Sequence, residues 1–197
     1  MRTLVSGSSP NRTSRNTACV FAQVASIALS ATTSAPQHDL ARTLLEVLWR
    51  SPNRVHQIAA RGGISNKFRN IPVTGVGDAV SRALGLSAAG ADAYFAPAEF
   101  QTPDNRTAAN ASGAYAFWMD VDCGESKAAA GSGYRTTADA RSALAQFCRD
   151  TGLPEPTHIV DSGGGLHVYW ILSEFVPREQ WQSYARKFKR LAEAYRV

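Results

Sequence analysis

Two carboxylates at the end of an apolar stretch are the residues that most directly suggest chemistry in this sequence. Asp120 and Asp122 follow Phe117, Trp118 and Met119, with one residue between the two acids. Successive side chains of a β-strand alternate between its faces, so these carboxylates would share a face with Cα atoms roughly 6–7 Å apart. Like charges at that distance repel unless a cation intervenes. Oxygen ligands favour hard cations, so the pair predicts a Mg²⁺ or Mn²⁺ site.

The segment from Ser162 to His167 is a second candidate element, because it combines three glycines with two polar side chains. Consecutive glycines permit positive φ angles and leave backbone N–H groups unshielded, which suits phosphate binding. The Ser162 hydroxyl and the His167 ring can also donate hydrogen bonds. No Gly-Lys-Ser or Gly-Lys-Thr follows, so the segment is not a P-loop. We predict that Ser162, Gly163, Gly165 and His167 bind a nucleotide.

The two elements together suggest one site, in which the acids bind a metal ion and the glycine turn binds a triphosphate. Its predicted catalytic residues are Asp120, Asp122 and His167, and its predicted metal ligands are the two aspartates. Taken separately, the elements have simpler explanations: acids that face solvent at a strand end, a glycine hairpin and a structural histidine. Three strands must position the site. Residues 114–121 carry the acids, and the strands over 157–161 and 166–172 flank the glycines.

Further helices and strands are predicted around these three strands from apolar spacing and capping residues. They are a helix from Asp39 to Trp49, a strand from Arg54 to Ala60, a loop over 61–77, a helix from Asp78 to Leu86, a strand from Ala93 to Phe95, a polar connection from Pro97 to Ser112, a polar loop from Glu125 to Arg135, a helix beginning at Thr136 or Thr137 and a helix opened by Pro177. This order favours an α/β (α+β) domain around an antiparallel or mixed sheet.

Composition and charge limit the classes of protein to consider. At 197 residues, 44% of them hydrophobic, the chain fits one folded domain with a tail. The net charge of +5 arises within residues 1–100, where ten Lys or Arg face five Asp or Glu, and this balance suits a phosphate-rich partner. Residues 1–38 hold three arginines and no acid. They predict a disordered or non-native extension before a domain over 39–197.

Cysteine spacing and hydropathy favour a reduced, cytoplasmic protein. Cys19, Cys123 and Cys148 form no CxxC pair, so neither a structural zinc nor a disulfide framework is indicated. No run of about 18 apolar residues is present, which excludes a conventional membrane span. Residues 18–29 imitate the apolar part of a secretory signal, and export or organelle targeting is therefore the alternative.

The acidic strand and the glycine segment together resemble the archaeo-eukaryotic primase superfamily, specifically the RepB-like or primase-polymerase domains of plasmids and phages. That family's first motif, a hydrophobic strand ending in DxD or DxE, matches residues 119–122. Its second motif, Ser-Gly-x-Gly-x-His before a hydrophobic strand, matches residues 162–170. Residues 92–100, with Arg106, are similar to the region ahead of the first motif. The resemblance covers about residues 40 to 197.

The resemblance implies a DNA primase or DNA-directed nucleotidyltransferase that makes primers in plasmid or phage replication. The implied fold is an RRM-like mixed sheet with flanking helices, and the implied cofactor is Mg²⁺ or Mn²⁺ held by Asp120 and Asp122. Ser162 and His167 would contact the incoming triphosphate, with Arg106 as a further phosphate candidate. Two metals would stabilise the attacking and leaving oxygens. The implied partners are a DNA template, nucleoside triphosphates and a replicative helicase.

The family's third acidic motif usually lies beyond the helix that follows the second motif, and this chain ends at Val197 with that helix. We therefore expect a C-terminally truncated domain with an incomplete and even inactive site. Two alternatives stay open. A non-catalytic replication module would bind nucleic acid through the basic residues of the last helix, Arg186, Lys187, Lys189 and Arg190. A metal-dependent DxD glycosyltransferase would explain the acids but not the glycine segment.

Overall fold

The structure is a computed structural model that describes residues 25–26, 35–62 and 65–197. Within these residues the chain forms eight strands and five helices. In chain order they are β1 (Ala25–Ser26), α1 (Ala35–Leu48), β2 (His56–Gly62), β3 (Ser65–Val73), α2 (Val76–Ala88), β4 (Ala91–Phe95), β5 (Glu99–Phe100), β6 (Ala111–Asp122), α3 (Glu125–Ala129), α4 (Thr137–Thr151), β7 (His158–Asp161), β8 (Gly165–Pro177) and α5 (Arg178–Tyr195).

The strands form two four-stranded sheets. Sheet A has the order β1-β4-β2-β3, and sheet B has the order β5-β6-β8-β7. Every pairing between these strands is antiparallel. Short connections explain this, because tight turns such as residues 162–164 between β7 and β8 can join only antiparallel neighbours. The predicted α+β class is confirmed, and so is the antiparallel alternative for the sheet, whereas the mixed sheet that the resemblance implies is not observed among the described strands.

Strands β6 and β8 lie between two hydrophobic cores. On one face, Val121 packs in a core with Leu144 of α4 and with residues of α5. On the other face, Trp118 and Tyr169 belong to a core that includes Leu48 of α1. Because strand side chains alternate, the two predicted acids share the face of Trp118, as the sequence predicts. Both cores therefore fix the strand that carries the acids.

Local sequence explains how the helices are placed against this strand. The Thr136 hydroxyl accepts a hydrogen bond from the Asp139 backbone N–H, and the Asp139 carboxylate accepts one from the Thr136 N–H. This capping box begins α4 where it was predicted, and Gly152 ends it with a φ of 70°. In α5, the Trp181 Nε1 donates to the Ala116 carbonyl of β6 at 2.7 Å. The last helix is thus bound directly to the acidic strand.

Several predicted boundaries were wrong. The loop predicted over 61–77 contains β3, an edge strand whose Lys67, Phe68 and Arg69 are exposed. Charged residues are usual on an edge strand and conceal the apolar alternation that identifies strands. The helix expected from Asp39 begins at Ala35 instead. The polar connection over 97–112 includes β5, and the polar loop over 125–135 includes α3.

The extension predicted over residues 1–38 lies largely outside the described residues. Within it, Ala25 and Ser26 of β1 pair with Phe95 and Tyr94 of β4. Among the described residues, no helix is both long and apolar enough to cross a membrane.

Candidate active site

The register between β6 and β8 places the predicted catalytic residues side by side. Asp120 pairs with His167, and Asp122 pairs with Gly165. Directly opposed residues of an antiparallel pair have Cβ atoms about 4.5–5.5 Å apart and point to the same face. The structure therefore brings Asp120, Asp122 and His167 together at one end of sheet B.

Asp120 and His167 are in direct contact. The His167 Nε2 lies 3.3 Å from the Asp120 Oδ1, with 6% of the histidine side chain and 41% of the aspartate side chain exposed. Burial raises the pKa of Asp120, an effect that the His167 charge opposes and the Asp122 charge reinforces. Burial also lowers the pKa of His167, against the attraction of Asp120. Both shifts act against a full ion pair, so the contact has mainly the character of a hydrogen bond.

Asp122 contacts a residue of the short helix that follows it. The Lys127 Nζ lies 3.1 Å from the Asp122 Oδ2, and both side chains are about half exposed, at 46% and 51%. Sequence reasoning did not include Lys127 in the site, although its place in the polar segment directly after the acids is a usable signal. An exposed pair of this kind contributes little stability, so a competing cation can replace the lysine at low cost.

Hydrogen-bond donors of the glycine turn are occupied by acceptors within the hairpin itself. The Ser162 hydroxyl donates to the Gly165 carbonyl at 3.1 Å, and the Gly163 N–H donates to the Asp161 carboxylate at 2.9 Å. Gly163 has a φ of 79°, as a tight hairpin turn requires at its first central position. Gly165 instead allows close approach of β6, since a Cβ there would lie 2.3 Å from the Val121 carbonyl oxygen. The predicted phosphate contacts of these residues stay a prediction, and those of the Ser162 hydroxyl and the Gly163 N–H would require exchange of a hairpin hydrogen bond.

Polar atoms without partners lie on the same face of sheet B as Asp120. Trp118 pairs with Tyr169 across β6 and β8, and Tyr169 pairs with His158 of β7. The Trp118 Nε1, the Tyr169 hydroxyl and the Nδ1 atoms of His158 and His167 are all buried, with no hydrogen-bond partner in the described part of the chain. Buried polar groups are nearly always hydrogen-bonded, so these four atoms without partners form an unusual polar region next to Asp120. Only His167 of these residues was predicted.

A buried acid lies in another part of the fold. Glu99 of β5 is fully buried; its Oε1 accepts a hydrogen bond from the Ser51 backbone N–H at 3.1 Å and lies 3.3 Å from the His56 Nε2. His56 also lines a cleft of about 400 Å³ beside Arg50 and Arg54. Sequence reasoning missed this group because Glu99 is 43 or more positions from His56 and Ser51, and the three follow no local pattern.

The other phosphate candidates lie apart from the aspartates. Arg106 donates from Nε to the Asn70 Oδ1 of β3 at 2.8 Å, and burial lowers its pKa. The basic residues of α5 are exposed to different degrees: Arg186, Lys187 and Arg190 are exposed, whereas Lys189 is half-buried and lies 3.8 Å from Glu193. The structure therefore assembles Asp120, Asp122 and His167, whereas Arg106 lies in the connection between β5 and β6 and contacts β3 of sheet A.

The two aspartates fit a divalent cation whose remaining ligands come from a bound substrate. In the described residues no group of three or more His, Cys, Asp or Glu side chains is placed to hold a metal ion by itself. Mg²⁺ in proteins is commonly held by one or two carboxylates together with substrate phosphates. Asp120 and Asp122, both partly exposed, provide those two carboxylates.

Comparison with known proteins supplies no relative: no family model, no curated protein and no solved structure matches the chain.

Proposed function

We propose that this protein is a DNA primase or related DNA-directed nucleotidyltransferase, with an RRM-like catalytic unit built on sheet B. The observation that carries the proposal is the direct opposition of Asp120 and His167, with Asp122 two residues further along the same strand face. A carboxylate pair next to a histidine, at the mouth of a glycine hairpin, suits a substrate that brings both a metal ion and a phosphate chain.

The roles of the residues follow from their contacts. Asp120 and Asp122 would hold Mg²⁺ or Mn²⁺, which supplies charge stabilisation at the reacting phosphate. His167 is nearly inaccessible, and its Nε2 contacts Asp120, so it orients that carboxylate. Lys127 neutralises Asp122 before substrate binds and then lies close to the incoming negative charge. The primer 3′-hydroxyl would attack the α-phosphate, and pyrophosphate would leave.

The test compares charge-neutral variants of the acids with a matched control. Asp120→Asn and Asp122→Asn keep the shape of the side chain and remove its charge. Asp150→Asn makes the same change at an exposed position of α4, where the carboxylate accepts a hydrogen bond from Gln146. We expect nucleotide incorporation on primed and bare templates, with Mg²⁺ or Mn²⁺, to be lost in the first two variants and kept in the third. Titration with Mn²⁺, followed by electron paramagnetic resonance, should show weaker binding in the same two variants.

Incorporation by Asp120→Asn at the wild-type rate would contradict the proposal. A non-catalytic nucleic-acid-binding module is the second candidate, because Arg186, Lys187 and Arg190 present an exposed basic surface on α5. That candidate predicts no incorporation by the wild-type chain, together with DNA binding that falls when these residues are neutralised. Turnover of a sugar nucleotide without polymerisation would indicate the glycosyltransferase instead.

A further inference from the structure

Sheet A carries an aromatic and basic surface on strands that the proposed catalytic site does not use. Phe68 of β3 and Tyr94 of β4 meet edge to face, with ring centroids 5.1 Å apart. They meet across the central strand β2, where Ala59 pairs with Tyr94 on one side and with Asn70 on the other. The small Ala59 side chain leaves room for both rings and is itself fully buried. Phe68 nevertheless remains 50% exposed, which is unusual for a phenylalanine in a sheet.

Two arginines accompany the exposed ring. The guanidinium carbon of Arg61 lies 5.4 Å from the Phe68 ring centroid, and that of Arg106 lies 5.9 Å from it. Arg106 is held in place by its hydrogen bond to Asn70, on the same strand face as Phe68. Cation–π contacts of this kind keep the arginines beside the ring. Arg61 is exposed, whereas Arg106 is half-buried and its Nη1 atom has no hydrogen-bond partner among the described residues.

The charge of the surrounding strands selects the kind of ligand. On the face of Phe68, sheet A carries Arg61 of β2 and Asp92 of β4, which pair in the strand register, whereas Lys67 and Arg69 alternate with Phe68 and belong to the opposite face. With Arg106, two basic side chains and one acid therefore accompany the exposed aromatic ring. Basic side chains suit phosphates, whereas an exposed ring suits the face of an unpaired base. A duplex would hide its bases from the ring, and an apolar protein partner would gain nothing from the charges.

We propose that Phe68, with Tyr94, Arg61 and Arg106, forms a binding surface for single-stranded nucleic acid, in which a base stacks on Phe68 and the arginines contact the flanking phosphates. This inference deepens the proposed function, on which it rests, because the bound strand would be the template. The surface lies on sheet A, whereas Asp120 and His167 lie on sheet B.

The test measures binding of a fluorescently labelled oligothymidylate by anisotropy, without a divalent cation. Loss of one stacked base corresponds to an affinity about 5- to 150-fold weaker, and we expect a value in that range for Phe68→Ala. Phe68→Trp should bind as wild type, because the indole also stacks. Arg61→Gln should reduce the dependence of affinity on salt by about one counterion.

The chain offers a matched control in Tyr184 of α5, which is 46% exposed and lies beneath the Lys187 ammonium at 5.7 Å. Tyr184→Ala should leave the affinity unchanged. Wild-type affinity in Phe68→Ala, or equal losses in Phe68→Ala and Tyr184→Ala, would overturn the inference. So would a Phe68-dependent dimer in sedimentation with no effect on oligonucleotide affinity. Thermal melts confirm that each variant is folded.

Failure of this inference is distinguishable from failure of the proposed function. The oligonucleotide assay contains no divalent cation, so it does not depend on the proposed metal site. If wild type incorporates nucleotides while Phe68→Ala keeps full affinity, the surface proposal alone fails. If Phe68→Ala loses affinity but wild type shows no incorporation, the surface proposal stands and the catalytic proposal fails.

Discussion

The three consecutive glycines at the turn from β7 into β8 should respond very differently to substitution by alanine. A Cβ at Gly165 would lie 2.3 Å from the Val121 carbonyl oxygen and 3.2 Å from the Asp122 Cα. Both atoms belong to the backbone of β6, so no side-chain rotation can relieve the clash. A Cβ at Gly164 would meet nothing within 4 Å, and its φ lies outside the range that disfavours side chains. Gly163 has equal space but a φ of 79°.

The expected free energies of unfolding follow from these three environments. Overpacking typically costs about 1–3 kcal/mol, and the rigid partner at Gly165 places Gly165→Ala near 3 kcal/mol. For a chain of this size that loss corresponds to a melting temperature lower by roughly 6–12 °C. Gly163→Ala should lose roughly 1–2 kcal/mol through its left-handed backbone. Gly164→Ala should be neutral or gain about 0.4–1 kcal/mol, because alanine restricts the unfolded chain.

Urea unfolding of the three variants, with the slope held to the wild-type value, is the direct measurement. The order of stability should be Gly164→Ala, then Gly163→Ala, then Gly165→Ala. Because Gly165 pairs with Asp122, the last variant should also weaken binding of Mn²⁺. The reasoning would be refuted by a Gly165→Ala protein as stable as wild type, or by equal losses in Gly164→Ala and Gly165→Ala. Either result would mean that β6 and β8 are not packed in this register.

Two further predictions concern the partly exposed Asp120 and the buried His167. Burial raises the pKa of Asp120, so the ionised carboxylate destabilises the fold above its ordinary pKa of 3.8. Without metal, Asp120→Asn should therefore melt at a higher temperature than wild type at pH 7. A lower melting temperature would contradict this prediction. The pKa of His167 is lowered, so its contribution to stability is present above pH 6.5 and is lost as the pH falls below that value. The urea midpoints at pH 7.5 and pH 5.5 should therefore differ less in His167→Gln than in wild type. An unchanged difference would contradict this assignment.

The central hairpin of the site could be predicted because its signals are local. Strand alternation placed Asp120 and Asp122 on one face, and glycines marked the turn before His167. The exact opposition of Asp120 and His167 needed the structure, since it depends on pairing between strands 47 positions apart. Edge strand β3 was missed because its exposed charged residues interrupt the apolar pattern.

The buried groups illustrate a different limit of sequence reasoning. Glu99 and His56 are polar residues in a hydrophobic interior, and only the fold shows that they meet there. The same holds for the row of Trp118, Tyr169 and His158, which arises from registers across three strands. Periodicity indicates which positions of a helix or strand face the core. It does not indicate which residues that are distant in the sequence become neighbours in the fold.

The two sides of the candidate site differ in how firmly the backbone holds them. His167 lies on a strand with a paired neighbour on each side, opposite Asp120 on β6 and Val160 on β7. Helix α3, which carries Lys127, spans five residues and buries none of them. Its amides should exchange with solvent by local opening, whereas those around His167 require the opening of a whole sheet. A substrate could therefore displace Lys127 by moving α3 alone, and find the histidine already in place.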